Sequence, residues 1–258
     1  MTTPLLALRG LHFGFASHLV LHGVDFALYP GERLALTGAN GASKTTLLQV
    51  LVGLRQPSAG QVIAFGKERR SEADFVPVRG RVGLLFQDSD DQLFCPTVLE
   101  DVALGPLNLG RSREAARADA EQTLAALGLA GFAERVTHRL SAGEKRLVAL
   151  ATVLAMRPEV LLLDEPTNGL DEVAERRLLS HLEGLDQAMV IVSHDRHLLE
   201  RLATRAVGLS EGRLVEAILH SHPHIHRHDH LHLHAPELDG DALHEGRAPL
   251  HGDHHAKE

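Results

Sequence analysis

Leu161-Leu162-Leu163-Asp164-Glu165 is an apolar run that ends in two acids. Such a run predicts a buried strand that delivers its carboxylates to the C-terminal edge of a parallel sheet. The two acids suit a magnesium ligand followed by a general base. Because apolar strands often end in acids by chance, the segment gains its meaning from its place in the chain. Ser141-Ala142-Gly143-Glu144 precedes it, and a glycine-rich loop lies further upstream.

The glycine-rich loop is Gly38-Ala39-Asn40-Gly41-Ala42-Ser43-Lys44-Thr45, between a predicted short strand at 33–37 and a predicted helix at 45–51. In a P-loop, small residues let consecutive backbone N–H groups curl around phosphate oxygens at a helix N-terminus. We therefore expect Lys44 to reach the β- and γ-phosphates and the Thr45 hydroxyl to bind magnesium. The alternative is a glycine-rich turn that binds nothing.

Ser43 departs from the P-loop pattern, which has glycine immediately before the lysine. A side chain at this position could crowd the path of the phosphates. If the site demands a positive φ, Ser43 also carries about 1–2 kcal/mol of strain. The sequence therefore leaves a weakened or inactive site open.

Composition limits the classes of protein that the chain can belong to. Its 258 residues suffice for one sizeable domain plus an appendage. The net charge is −8 with scattered Lys and Arg, so no nucleic-acid partner is expected. The single cysteine, Cys95, excludes an internal disulfide and a multi-cysteine metal site. Without a signal peptide or an apolar run long enough to span a bilayer, we expect a cytosolic chain attached to the membrane through a partner.

Strands and helices alternate along the chain, which implies a parallel sheet with ligands at its carboxyl edge. The predicted elements are edge strands over 5–32 with turns at Gly23 and Gly31, buried strands over 82–86 and 189–192, and helices over 113–127 and 143–157.

The order of these segments resembles the ATP-binding subunit of ABC transporters. The resemblance covers residues 5 to about 215 and implies an α/β fold. That fold is a P-loop ABC ATPase domain with a RecA-like core, an antiparallel β subdomain and a helical subdomain at about 88–158. Residues 1–217 are expected to form this domain. The matching segments are 38–45, Gln87, 141–145, Asp164-Glu165, Leu170-Asp171 and His194.

The resemblance implies ATP and Mg²⁺ as cofactors and assigns a role to each matching residue. Gln87 would contact magnesium and sense a membrane partner, and Glu165 would polarise the attacking water. Phe15 would stack on adenine, although a core position in its strand is the alternative. The implied ATP contacts are Phe15, Gly38, Ala39, Asn40, Gly41, Ala42, Ser43, Lys44, Thr45, Thr46, Gln87 and Asp164. The implied catalytic residues are Glu165, His194 and Lys44, and the implied magnesium ligands are Thr45, Gln87 and Asp164.

Ser141, Ala142, Gly143 and Asp171 are implied to act in trans, on ATP that a second ATPase subunit holds. A helix N-terminus with exposed N–H groups favours such a phosphate. The family pattern has two adjacent glycines, and Ala142 replaces the first. Without the family, Ser141 to Glu144 is a helix-capping box. The working unit is thus expected to be a homo- or heterodimer.

The segment from Phe86 to Asn108 narrows the resemblance. Asp90-Asp91-Gln92-Leu93-Phe94, in register after Gln87, is similar to the ATPases of energy-coupling-factor importers, especially those for cobalt and nickel. This implies integral-membrane transporter subunits as partners and a peripheral location at the cytoplasmic face of the cell membrane. Four alternatives stay open: a vitamin importer ATPase, a catalytically weakened subunit of a heterodimer, a soluble non-transport ABC ATPase, and a metal-storage protein.

Composition changes at Ile218, beyond which histidine takes over. The segment 218–258 lacks the apolar face that would support a strand, so we predict a disordered tail. Neutral imidazoles bind transition metals, which indicates a metal-binding tail for Ni²⁺, Co²⁺ or Zn²⁺. A solvated tail with incidental affinity and an engineered purification sequence are the alternatives. The alternating histidines are His220, His222, His224, His226, His228, His230, His232 and His234.

Overall fold

The computed structural model of this chain describes residues 2–16 and 18–217. The predicted tail over 218–258, with all eight alternating histidines, lies outside the described residues. The strands are β1 (Leu6–Phe15), β2 (His18–Leu28), β3 (Arg33–Thr37), β4 (Ala59–Ala64), β5 (Lys67–Arg69), β6 (Val82–Leu85), β7 (Val160–Asp164), β8 (Ala188–Val192), β9 (Arg205–Ser210) and β10 (Arg213–Ala217). The α-helices are α1 (Lys44–Leu51), α2 (Glu72–Arg79), α3 (Val98–Asn108), α4 (Arg113–Ala126), α5 (Ala142–Leu154), α6 (Glu172–Glu183) and α7 (Arg196–Leu202).

The strands form two sheets. The larger has the order β10-β9-β3-β8-β7-β6, in which the strands from β9 to β6 run parallel and β10 is antiparallel to β9. The smaller sheet, in the order β2-β1-β4-β5, is antiparallel throughout. The predicted α/β fold, with a parallel core sheet and an antiparallel β sheet beside it, is confirmed.

Successive side chains of β7 enter two different hydrophobic cores. Leu161 and Leu163 pack into the core that α3, α4, α5, α6 and α7 build on one face of the large sheet. Val160 and Leu162 pack into the other core, together with α1, α2 and the small sheet. A parallel strand that is covered on both faces must be apolar at every position. This explains the uninterrupted apolar run ahead of Asp164.

Two helices have bounds close to those predicted from the sequence. The helix predicted over 113–127 spans Arg113–Ala126, and the helix predicted over 143–157 spans Ala142–Leu154. The capping box at Ser141 and Glu144 is confirmed, because the Glu144 N–H donates to Ser141 Oγ at 3.3 Å and the Ser141 N–H donates to Glu144 Oε2 at 2.8 Å. In the described ranges, no helix is both long enough and apolar enough to cross a bilayer.

The turn predicted at Gly23 is wrong. Gly23 has a φ of 65° but lies inside β2. The strand pairing passes from Leu11 opposite Val24 to His12 opposite His22, so Gly23 is the extra residue of a β-bulge. The turn at Gly31, with a φ of 71°, is confirmed between β2 and β3.

Candidate functional site

The predicted site residues meet where four parallel strands end. The P-loop follows β3, Gln87 follows β6, Glu165 follows β7 and His194 follows β8. Together with the end of β1 they enclose a cavity of about 670 Å³. Its lining residues are Phe15, Asn40, Gly41, Ala42, Ser43, Lys44, Thr45, Thr46, Gln87, Asp164, Glu165, Asn168, Val192 and His194.

The P-loop begins at a glycine whose replacement would force the backbone to shift. Gly38 has a φ of 143°, and a Cβ added there would lie 2.4 Å from the carbonyl oxygen of Leu209 in β9. Lys44 opens α1 and is buried, and its Nζ donates to the carbonyl oxygens of Gly38 at 2.8 Å and Ala39 at 3.0 Å. The backbone of the loop therefore positions the lysine ammonium beside the cavity.

Ser43 has the positive φ that the sequence left open. Its φ of 69° and ψ of 27° put it in the left-handed region, directly before the first residue of α1. Its side chain makes no capping hydrogen bond that could offset the strain. A non-glycine residue in this conformation costs about 1–2 kcal/mol.

Thr45 and Asp164 form the pair of oxygens expected of a magnesium site. Thr45 Oγ1 donates to Asp164 Oδ2 at 2.5 Å, and the Asp164 side chain is buried at the end of β7. Burial raises the pKa of Asp164, against the opposing effects of the Thr45 hydrogen bond and of the Arg146 and Lys44 charges. Magnesium is commonly held by one or two protein oxygens plus substrate phosphates, so this donor set fits the ion. Within residues 2–16 and 18–217, no three His, Cys, Asp or Glu side chains converge on a metal position.

Glu165 and His194 contact each other across the ends of β7 and β8. The backbone N–H of His194 donates to Glu165 Oε2 at 3.3 Å, and His194 Nε2 lies 3.4 Å from Glu165 Oε1. Glu165 has a φ of 50°, and its own N–H donates to the Val192 carbonyl at 2.8 Å. Strained backbone of this kind clusters at active sites, where the surrounding structure fixes a side chain in one position.

Phe15 lies at the mouth of the cavity, at the end of β1. The residue is 44% exposed, so the alternative that it is a core residue is wrong. Phe13 meets the ring edge-on at a centroid distance of 5.1 Å, and the Arg55 guanidinium lies 5.1 Å from its centroid. This leaves an aromatic surface at the rim, which suits a planar ligand group.

The four residues expected to act in trans lie outside this cavity. Ser141 and Ala142 are exposed at the start of α5, and Asp171 is exposed at the start of α6, where it caps the Ala174 N–H at 2.8 Å. A Cβ on Gly143 would lie 2.9 Å from the Gly169 carbonyl oxygen. A contact within this chain thus favours glycine at position 143.

Asn168 and Val192 line the cavity without having been predicted as site residues, and two further side chains near the site, those of Arg146 and Gln92, were also missed. Arg146 of α5 is buried and donates to backbone carbonyls at the ends of β6 and β7. Gln92 accepts from the Phe86 N–H at 3.2 Å and donates to Thr152 of α5 at 2.8 Å. For Arg146, the signal in the sequence was its helical spacing from the apolar residues Leu150 and Val153. Gln92 belongs to the Asp90–Phe94 segment that narrows the family resemblance, but nothing local in the sequence predicts its hydrogen bonds to Phe86 and α5.

Comparison with protein families and curated proteins points to one family. Residues 21–168 match the family described as ABC transporter. A Brucella suis protein, named in general terms as an ABC transporter ATP-binding protein, is 53% identical over 85% of this chain and 91% of its own length. Two Rhodobacter capsulatus proteins are also similar. The cobalt import ATP-binding protein CbiO is 47% identical over 83% of this chain and 78% of its own, and the nickel import ATP-binding protein NikO is 42% identical over 83% and 89%.

Comparison with solved structures points to the same family. The cbiO1 protein of Clostridium perfringens, described as part of the ABC transporter complex cbiONQ, aligns with a TM-score of 0.72. It is 31% identical, over 82% of this chain and 87% of that structure. A dimeric bacterial ABC transporter cassette, MJ0796, aligns with a TM-score of 0.76 at 25% identity, over 84% of this chain and all of that structure.

Proposed function

Because this chain belongs to the ABC transporter family and is an ATP-hydrolysing member of it, we propose that it powers the import of nickel or cobalt ions through an integral-membrane partner. The geometry that carries the ATPase assignment is the meeting of the P-loop, Thr45, Asp164, Glu165 and His194 in one cavity. The choice of metal is supported by the similarity to named cobalt and nickel import proteins. It is also supported by the alternating histidines of the sequence, which are suited to transition metals.

The protein works, in this proposal, peripherally at the cytoplasmic face of the membrane. Residues 1–217 form the ATPase domain, with a helical subdomain at about 88–158 that meets the membrane partner. Residues 218–258 form a tail that binds Ni²⁺, Co²⁺ or Zn²⁺. Two ATPase subunits face each other, so the Ser141 segment and Asp171 of each complete the ATP site of the other.

The residues of the cavity have different roles in ATP hydrolysis. The P-loop N–H groups and Lys44 bind the phosphates, and Phe15 supports the adenine. Thr45, Asp164 and Gln87 would hold Mg²⁺, which would supply positive charge to neutralise the phosphate oxygens. Glu165 accepts a proton from the attacking water, while His194 fixes the Glu165 carboxylate and lies beside the γ-phosphate.

Metal uptake in cells that lack this chain tests the proposal. The cells are complemented with the native chain, with Glu165→Gln, or with Glu159→Gln as a matched control. Glu159 is an exposed acid just before β7, at the opposite end of the strand from Glu165, and it pairs with Arg81 at 2.5 Å. We expect the native chain and Glu159→Gln to restore uptake of radiolabelled nickel or cobalt, and Glu165→Gln to fail.

Two other outcomes would contradict the proposal in different ways. If the native chain changes the uptake of neither ion, the transported substrate is not nickel or cobalt, and a vitamin importer becomes the better hypothesis. If Glu165→Gln restores uptake as well as the native chain, hydrolysis resides in another polypeptide and this chain is a catalytically weakened partner subunit.

A further inference from the structure

Arg146 uses all of its hydrogen-bond donors on two turns that carry proposed ATP-site residues. A guanidinium has five N–H groups and no acceptor. The Arg146 side chain is buried on the inner face of α5. Nη1 donates to the carbonyl oxygens of Phe86 and Gln87, the latter at 3.2 Å; Nη2 donates to those of Asp164 and Glu165; and Nε donates to that of Pro166 at 3.3 Å.

The buried guanidinium of Arg146 does more than fill space in the core. Burial lowers the pKa of Arg146 to about 10, against the opposing effect of the Asp164, Glu165 and Asp88 carboxylates, so the side chain stays charged at neutral pH. A buried cation is tolerated only when its hydrogen bonds are satisfied. Lysine carries the same charge but lacks the planar fork of donors, so it cannot bind the same set of carbonyls.

The carbonyls that Arg146 binds belong to the turns on which hydrolysis depends. Glu165 holds its carboxylate from a left-handed backbone conformation with a φ of 50°. Arg146 donates to the carbonyl of this residue and to those on either side of it. The same guanidinium binds the peptide that precedes and the peptide that follows the α-carbon of Gln87. Both turns are therefore fixed to one side chain.

The other end of the link is the N-terminus of α5. Arg146 lies less than two helical turns from Ser141, and Gly143 packs against the Gly169 carbonyl. A second tie comes from Gln92, which accepts from the Phe86 N–H at 3.2 Å and donates to the Ala149 carbonyl of α5 at 3.0 Å. A displacement of the start of α5 would therefore displace both the Phe86-Gln87 turn and the Asp164-Pro166 turn.

We propose that Arg146 is a positioning residue that couples the placement of the Ser141 segment to the placement of Gln87 and Glu165 in the same chain. This inference rests on the proposed function in one respect, namely that the Ser141 segment faces ATP on a second subunit. ATP bound by one subunit then orders the hydrolytic turn of the other through α5 and Arg146. Cooperativity between the two ATP sites depends on this side chain.

Arg146→Lys in the full chain tests the positioning part without reference to transport. Arg139→Lys is the matched control, because Arg139 is an exposed arginine two residues before Ser141. Hydrogen exchange at the backbone amides of Glu165, Thr167 and Asn168 is compared in the two variants and the native chain. We expect faster exchange there in Arg146→Lys alone. Equal exchange in all three proteins would overturn the positioning role, and it would leave the proposed transport function intact.

Steady-state hydrolysis by the same proteins tests the coupling part. Because the P-loop contacts are unchanged, Arg146→Lys is expected to bind ATP as the native chain does. Its kcat should fall about 10- to 100-fold, since a small misplacement of a reacting group has an effect of this size. Its Hill coefficient should fall to one, whereas Arg139→Lys keeps the native value. A lower kcat with the native Hill coefficient, or a native chain with a coefficient of one, would overturn the coupling.

A milder variant keeps the test decisive if Arg146→Lys does not fold. Gln92→Met nearly preserves the volume of the side chain and removes only the hydrogen bonds to Phe86 and α5. The inference predicts the same direction of change in kcat and Hill coefficient, with a smaller amplitude. Native kinetics in a folded Gln92→Met protein would count against α5 as the coupling element.

Discussion

His194 holds the Glu165 carboxylate through two contacts, one from its backbone and one from its imidazole. The backbone N–H donates to Oε2 at 3.3 Å, and Nε2 lies 3.4 Å from Oε1. Since Glu165 follows β7 and His194 follows β8, the parallel pairing of these strands brings the two residues together. The carboxylate is thus fixed by the fold before any substrate contacts it.

Glu165→Gln should separate ATP binding from ATP hydrolysis. The amide nearly preserves the shape of the side chain but cannot accept a proton from water, so turnover should fall about 100- to 10,000-fold. ATP affinity should stay close to the native value, because the P-loop and Lys44 are unchanged. Phosphate release and equilibrium nucleotide binding measure the two quantities, with Glu159→Gln as the control. Native turnover in Glu165→Gln would remove the residue from this role.

Ser43→Gly should stabilise the chain and tighten ATP binding. Glycine removes the strain of the 69° φ, about 1–2 kcal/mol, and loses part of this gain through the larger entropy of the unfolded chain. We expect the free energy of unfolding to rise by about 0.5–1 kcal/mol in urea titrations. Ser43→Ala keeps the Cβ and the strain, so it should match the native protein. If the two variants behave alike, the hydroxyl and not the backbone conformation decides the effect.

The sequence predicts the parts of this site that depend on local chemistry. The Ser141–Glu144 box, the buried run before Asp164 and the P-loop are each encoded within a few residues, and the structure contains all three. The turns after successive strands meet because parallel strands end at one edge. The sequence therefore predicts that the P-loop, Asp164 and Glu165 lie at one edge of the sheet, and the structure places them there.

Features that depend on packing between distant segments were not predictable. Gly23 has the positive φ of a turn glycine, yet strand pairing with β1 makes it a bulge. Arg146 has the helical spacing of a core residue, and its five acceptors come from segments 18 to 60 residues away. Phe15 lies at the rim of the cavity because β1 ends there, and the sequence alone does not show where β1 ends. In each case the partner that decides the outcome is remote in the chain.

Gly143→Ala should destabilise the chain, although helix propensity alone predicts the opposite. The new Cβ would lie 2.9 Å from the Gly169 carbonyl oxygen, and backbone must shift to accommodate it. Overpacking of this kind costs about 1–3 kcal/mol, measurable as a lower midpoint in urea unfolding. Gly131→Ala is the control, because its Cβ would meet no atom within 4 Å. An equal effect of the two substitutions would show that the Gly143–Gly169 contact is not restrictive.

Glu144 gives the start of α5 a stability that depends on pH. The Arg135 hydrogen bond, followed by the Ser141 N–H, lowers the pKa of Glu144 from 4.5 to about 2. The folded chain thus favours the carboxylate. Its contribution is complete above the unfolded pKa of 4.5 and is lost as the pH falls towards 2. Because the side chain is 30% exposed, we discount the contribution to about 1 kcal/mol.

Glu144→Gln measures this contribution directly. At pH 7 the variant should be less stable than the native chain by about 1 kcal/mol in urea unfolding, and the difference should shrink between pH 5 and pH 3. Arg135→Gln removes the partner instead, at the 2.7 Å contact with Glu144. The double variant should lose no more free energy of unfolding than one single variant loses, plus the residual loss of capping. The reason is that the two side chains act as one pair. A difference that stays constant from pH 7 to pH 3 would show that the charge of Glu144 does not stabilise the start of α5.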